Sequence, residues 1–205
     1  MLTRRILLTS TSACAALLGL AGWPGTGRAQ TPEQATAFIQ QAGQELVGVI
    51  NGGAPAAERQ VRLKEIVDRI VDVDGIARFC LGRYWRSATP AQRQQYLALF
   101  HQVLQRNIAS KLGDYKGVTF VVGRAAPREG AIGVATVVTR PGTAPANVEW
   151  LVSSATGSPK IVDMIAEGTS LRLTQRSDYA SYIERNGSSV AALLDAMRRQ
   201  LAQPS

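Results

Sequence analysis

The sequence predicts an α+β domain, a twisted antiparallel sheet of four to five strands packed by N-terminal and C-terminal helices. Three observations carry this. Between residue 31 and about Leu112, apolar side chains recur every three or four positions, the period of a helix with one covered face. At Lys116-Gly117 the texture changes to short β-branched runs separated by Gly- and Pro-rich breaks. Beyond Leu173 the helical period returns. Strands gathered in one run, rather than alternating with helices, give α+β and not a parallel α/β sheet.

The first segment is an address and not part of that domain. Arg4-Arg5 precedes an apolar, small-residue run from Ile6 to Leu20, followed by a Gly/Pro break at Gly22–Gly25. Gly27-Arg28-Ala29 then offers the small residues a signal peptidase reads, so residues 1–29 are expected to be cleaved and 30–205 to form one exported, periplasmic domain. The apolar run is too short and too rich in Ser and Thr for a membrane span, which needs about 20 mainly apolar residues. Thr3-Arg4-Arg5-Ile6-Leu7-Leu8 also resembles a twin-arginine signal, with ordinary Sec export open beside it. Cys14 lacks the upstream leucine of a lipid-anchor site, since Thr11-Ser12-Ala13 precede it.

Setting the signal aside changes the composition. The full chain has 23 basic and 15 acidic residues, net +8; losing Arg4, Arg5 and Arg28 leaves 20 against 15, or +5. That surplus is scattered rather than blocked, which disfavours a dedicated nucleic-acid protein and leaves acidic partners and anionic lipid headgroups open. Cys80 becomes the sole cysteine, so no intramolecular disulfide is expected, and its neighbours Phe79 and Leu81 read as a buried thiol. One histidine and one cysteine cannot make a zinc site of their own; no metal and no cofactor are expected. A catalytic triad would have to run through His101, which sits between Phe100 and Gln102 with no nucleophile motif, Gly-x-Ser-x-Gly turn or phosphate loop nearby. The chain is read as a non-enzyme, with a small α+β enzyme using His101 as the competing class.

Element by element, Thr31-Pro32-Glu33-Gln34 is a capping-box start, and Ala35, Phe38, Ile39, Ala42, Leu46, Val49 and Ile50 make one helical face, stopped at Asn51-Gly52-Gly53. A second helix runs from Ala56 to Val71 and a short one from Asp74 to Leu81. Thr89-Pro90-Ala91-Gln92 repeats the capping box and opens the longest helix, to about Leu112. Four strands follow, Val118–Val122, Ile132–Thr139, Val148–Val152 and Lys160–Ile165, with breaks at Pro127–Gly130, Pro141–Pro145 and Thr156–Pro159. Leu171-Arg172-Leu173 offers a fifth strand. Ser177 is then expected to cap a helix to Arg185, and Ser188 or Ser189 the last one, to about Leu201.

Two stretches resemble the MlaC family of periplasmic phospholipid-binding proteins, also called the toluene-tolerance auxiliary transport family. One runs from Val73 through Leu81-Gly82-Arg83-Tyr84-Trp85 to Ala109-Ser110-Lys111-Leu112 and Tyr115. The other runs from Glu167 through Leu173-Thr174-Gln175-Arg176-Ser177 to Asn186-Gly187. The chain departs from the family pattern at Ser158-Pro159 and Val162, where aromatic residues are usual. The resemblance implies a carrier that ferries phospholipid between an outer-membrane lipoprotein complex and an inner-membrane ABC transporter with its substrate-binding ring component, maintaining outer-membrane lipid asymmetry. Acyl chains would sit in an apolar pocket between sheet and helices. Another lipid in the same fold, such as a hopanoid, is the alternative cargo.

Phe120, Val122, Val134, Val148, Trp150 and Val152 alternate so as to load one sheet face, with Val121 and Leu151 on the other. Pocket lining and solid core give the same pattern. The lipid-binding candidates are Tyr84, Trp85, Leu104, Ile108, Phe120, Val134, Trp150 and Met164. Arg83 and Arg176 are the headgroup or mouth candidates; the competing readings make Trp85 a core plug between helices and Arg176 a partner of Asp178 or Glu167.

Overall fold

Thr31 begins the first helix as its sequence requires. In a computed structural model that describes residues 30–111 and 115–203, the N–H of Gln34 donates to Thr31 Oγ1 (3.3 Å) and the N–H of Thr31 donates to Gln34 Oε1 (3.1 Å). Both halves of the capping box therefore hold α1 (Pro32–Asn51). Thr89 and Gln92 repeat the arrangement, at 3.2 and 2.9 Å, at the start of α5 (Pro90–Lys111). Between them lie α2 (Ala56–Ile70), α3 (Val73–Leu81) and the single turn α4 (Tyr84–Ser87). The export signal at 1–29 and the helix end at Leu112 lie outside the described residues.

The sheet is an antiparallel meander in the order β1 (Thr119–Arg128), β2 (Ala131–Thr139), β3 (Ala146–Ser153), β4 (Lys160–Ala166) and β5 (Thr169–Ser170). Its register sets Val122 opposite Thr136, Val134 opposite Trp150 and Trp150 opposite Met164. The expected apolar face is thus confirmed, and Val121 and Leu151 lie on the other side. Bulges between Val122 and Ala125 and between Leu151 and Val152 each change the count by one residue and keep the apolar set on one face. Two helices close the chain, α6 (Leu171–Arg185) and α7 (Val190–Ala202), the latter capped by Ser189.

Three boundaries differ from expectation. Leu171-Arg172-Leu173 is the first turn of α6 and not a strand, and Ser177 lies inside that helix. Ser170 is the cap, its hydroxyl accepting the N–H of Leu173 at 3.2 Å. The Leu-Arg-Leu alternation is inverted relative to a half-buried strand: Leu171 and Leu173 are 43% and 56% exposed, while Arg172 turns in to Asp163. The fifth strand is only Thr169–Ser170. β1 also runs through Pro127 to Arg128, tolerated because β1 is an edge strand and the missing N–H has no ladder partner to lose. Finally, α2 stops at Ile70, and Val71 leaves it extended to bridge Ile161 in parallel.

Two cores result. The sheet core sets Ala35, Ile39 and Ala42 of α1 and Ile66 and Ile70 of α2 on Ile132, Val134, Val152 and Ile161. The helical core joins α3 to α7 around Ala77, Cys80, Leu81, Tyr96, Phe100, Ile183 and Leu194. Tyr96, Phe100 and Tyr179 meet there as tilted and edge-on rings with centroids 5.8 to 6.5 Å apart. Half-buried Val71 packs against both cores. On the opposite sheet face, buried Asp163 accepts from Ser170 Oγ (2.6 Å) and from the N–H of Arg172 (3.2 Å), docking the start of α6 onto β4.

Candidate functional site

The sheet face beneath α1 and α2 carries no ionisable side chain at the positions in register with Val134, from Phe120 on β1 to Met164 on β4. Arg128 pairs with Glu149 at 2.7 Å and Asp163 with Arg172 at 3.3 Å on the other face, and Lys160 at the start of β4 donates to the carbonyls of Asp68 and Arg69 in α2, the helix over the apolar face. Its polar group, the hydroxyl of buried Thr136, is fully used: it accepts from Trp150 Nε1 (2.9 Å) and donates to the carbonyl of Val148 (3.0 Å). Trp150 is thereby held in one orientation with its ring half-buried on the apolar face. Such a surface has nothing with which to polarise a bond and much with which to shelter hydrocarbon.

Four of the eight lipid-binding candidates meet here. Val134 is 0% exposed at the centre, Trp150 and Met164 are half-buried neighbours across β3 and β4, and Phe120 lies at the β1 end. Gly43 of α1 receives the Phe120 ring, since a Cβ at that position would collide with it. The sequence signal for this contact was a glycine inside a strong helical pattern, which costs helix stability unless close packing requires it.

The other four belong to the helical core. Tyr84 is 6% exposed and is the plug of the α3–α5 joint, a role the sequence had suggested for Trp85. Trp85 is half-buried, with the guanidinium groups of Arg78 and Arg93 over its ring at 5.6 and 5.4 Å. Leu104 and Ile108 pack against the helical core from α5, whose main neighbours are α7 and α3. The candidates therefore line two separate apolar regions and not one wall.

Among the described residues, two open grooves mark the surface, neither of them between sheet and helices. One, of about 420 Å³, runs between α1 and α2 past Glu45, Val49, Arg62 and Glu65. The other, of about 350 Å³, lies between α3 and α6 and collects Arg78, Phe79, Gly82, Arg83, Arg86 and Arg176. Arg83 and Arg176, far apart in sequence, are brought together there. Arg176 pairs with neither Asp178 nor Glu167 among the described residues; it stacks over Phe79 at 4.9 Å. Glu167 instead accepts the N–H of Asn147 at 2.5 Å. Arg86, which the Arg83-Tyr84-Trp85-Arg86 run already sets beside Arg83 near a phosphate, and Arg78, which periodicity does not group with them, complete the cluster.

His101 has a partner the sequence did not reveal: its Nε2 lies 2.8 Å from Asp74 Oδ1, and Asp74 also faces Arg78 at 3.7 Å. The pair ties α5 to α3. Cys80 does not join it; burial pushes its thiol up to about 12, keeping it protonated and unreactive. Burial likewise raises the hydroxyls of Tyr96 and Tyr179. This buried thiol and these two buried phenols are thus held neutral rather than poised for proton transfer.

The MlaC protein family profile matches residues 40–199, a span that includes both Leu81-Gly82-Arg83-Tyr84-Trp85 and Leu173-Thr174-Gln175-Arg176-Ser177. The chain belongs to the MlaC family. This MlaC chain is 26% identical over 185 residues to the toluene tolerance protein ttg2D of Pseudomonas putida, an alignment that spans 87% of this chain and 85% of that one. Its fold is similar to that of the phospholipid-binding protein from Ralstonia solanacearum, solved in complex with a phospholipid: TM-score 0.71 and 25% identity, over 82% of this chain and 99% of that one. The comparisons point to a binding protein, in keeping with an uncharged apolar sheet face.

Proposed function

We propose that this MlaC protein is a periplasmic carrier that shuttles phospholipid between an outer-membrane lipoprotein complex and an inner-membrane ABC transporter, and so helps maintain outer-membrane lipid asymmetry. The observation that carries the proposal is the shared fold with a relative that holds a phospholipid, an alignment covering 99% of that relative. The physics supplies the reason for a protein of this kind. Moving hydrocarbon into water costs about 0.8 kcal/mol per CH₂, on the order of 20 kcal/mol for two acyl chains, so unassisted desorption is slow. A charge-free surface that takes over the chains removes most of that cost without any covalent step.

In this reading the sheet side of the lipid site is Phe120, Val134, Trp150 and Met164. Tyr84, Trp85, Leu104 and Ile108, which pack into the separate helical core, stand outside that surface, and Arg83 and Arg176 stand towards the headgroup. Met164 suits variable chains, because its unbranched thioether adapts to irregular neighbours. Export through a signal cleaved after Ala29 delivers the carrier to its compartment, where the complexes at the two membranes are its partners.

Native mass spectrometry of protein purified from the periplasm tests the proposal. Phospholipid should be recovered with the protein, whose mature chain should begin at Gln30. Lipid-free protein that takes up nothing from labelled vesicles would overturn it, and chemical identification of the extract separates phospholipid from a hopanoid.

A further inference from the structure

We propose that the groove between α3 and α6 is a binding site for a phosphate group, as a monoester or diester. Four guanidinium groups line it, from Arg78, Arg83, Arg86 and Arg176, and no carboxylate does. Two of them are compensated from outside the groove: Arg78 by Asp74 at 3.7 Å and Arg83 by Glu184. Among the described residues, Arg86 and Arg176 have no carboxylate within ion-pair distance. Two positive charges therefore converge without counter-charge, which matches the one or two negative charges of a phosphate ester.

Three of the four arginines are also braced. Arg176 stacks on Phe79 at 4.9 Å, Arg78 on Trp85 at 5.6 Å, and Arg83 on Tyr84 at 4.9 Å while donating to the Tyr84 hydroxyl at 2.9 Å. A guanidinium held by its face keeps its N–H edge for an oxyanion, so less side-chain freedom is lost on binding and the planar fork can grip two phosphate oxygens. Gly82 makes the convergence possible. It sits at φ +57°, and a Cβ there would come within 3.1 Å of Arg176 Nε. The volume of about 350 Å³ exceeds what a bare phosphate ion needs and leaves room for the group it esterifies. Phe79 and Trp85 are half-buried under their arginines and do not protrude, so the patch is shaped for a discrete group rather than for insertion into a bilayer. The site deepens the carrier reading if the phosphate belongs to a lipid, but it stands without that reading.

Isothermal titration calorimetry on the purified mature protein, stripped of co-purified lipid, tests this. The probes are inorganic phosphate, glycerol 3-phosphate and a soluble short-chain phosphatidylglycerol, against chloride at matched ionic strength. Saturable binding is expected, at least tenfold weaker in Arg86→Ala and in Arg176→Ala and unchanged in Arg62→Ala at the other groove, with circular dichroism confirming that each variant folds. Tighter binding of the esters than of inorganic phosphate assigns a headgroup as the source; equal binding assigns free phosphate. Three results overturn the site: no saturable binding above chloride, binding undiminished in both arginine variants, or capture only by anionic vesicles or an acidic polypeptide. Delipidated protein that ignores all three probes yet takes phospholipid back from labelled vesicles would sink this site alone, whereas protein that never takes up lipid but binds glycerol 3-phosphate would keep it and sink the carrier.

Discussion

The helical core and the sheet face are both apolar, yet one is closed and the other half-covered. In the helical core the rings of Tyr96, Phe100 and Tyr179 interlock, and the Tyr96 hydroxyl donates to the carbonyl of Ala77 at 2.8 Å. On the sheet, Val134 and Val152 are fully buried, but Phe120, Val122, Trp150 and Met164 around them keep part of their surface exposed. The difference separates two uses of the same chemistry. A closed core gains its full burial energy on folding, whereas a half-covered face retains apolar area for something that arrives later.

The strongest test of that division is Tyr96→Ala. Truncating a fully buried aromatic costs about 3–5 kcal/mol, read as a lower urea midpoint. The folded fraction should still carry its normal lipid content, because the loss lies in the closed core. Gly43→Leu comes next. It forces a side chain into the space of the Phe120 ring, should cost about 1–3 kcal/mol as an overpacked contact, and should lower lipid recovery as well, since it moves α1 relative to β1.

Trp150→Ala sharpens the comparison from the other side. Stability should fall by less than in Tyr96→Ala, while lipid recovered per protein in native mass spectrometry drops severalfold. Equal loss of both properties in both variants would abolish the distinction between the regions. Thr136→Val, which removes the acceptor of Trp150 Nε1, should cost about 1 kcal/mol, measured by the same urea titration.

The smallest effect is one of pH. The Cys80 thiol rises from its ordinary 9.0 to about 12 in the folded protein. A raised acid is stabilising in its protonated form, so this contribution is intact below about pH 9 and is lost as pH climbs towards 12. Stability should therefore decline over that window. Cys80→Ala should shallow the decline without removing it, because burial also raises Tyr96 and Tyr179 from their ordinary 10.0, and their contributions begin to be lost as pH passes that value.

What the sequence made legible was local. The two capping boxes need only residues three apart, and the alternation from Val134 to Trp150 needs only the pleat, so helix starts and the apolar face were readable. The start of α6 was not, because it depends on Arg172 turning in to Asp163 of β4, nine residues upstream and across a turn. Periodicity sees Leu-Arg-Leu and has no access to that partner. The same limit hid the arginine groove. Arg83 and Arg86 were noticeable together beside two aromatics and Arg176 after a strand, but the meeting of Arg176 with them and with Arg78 is a product of α3 packing on α6. Asp74 and His101, 27 residues apart, are a third pair made by packing alone.

Gly43 sets a length for the whole of α1. With a hydrogen where a methyl would stand, the helix seats directly on the Phe120 ring, and that ring becomes the spacer between helix axis and sheet. Ile39, Ala42 and Leu46, on either side of this contact along α1, pack on the same sheet core. Residue 43 thus works as a gauge block: substitutions elsewhere on α1 alter what fills the gap, but a change here alters its width along the entire helix.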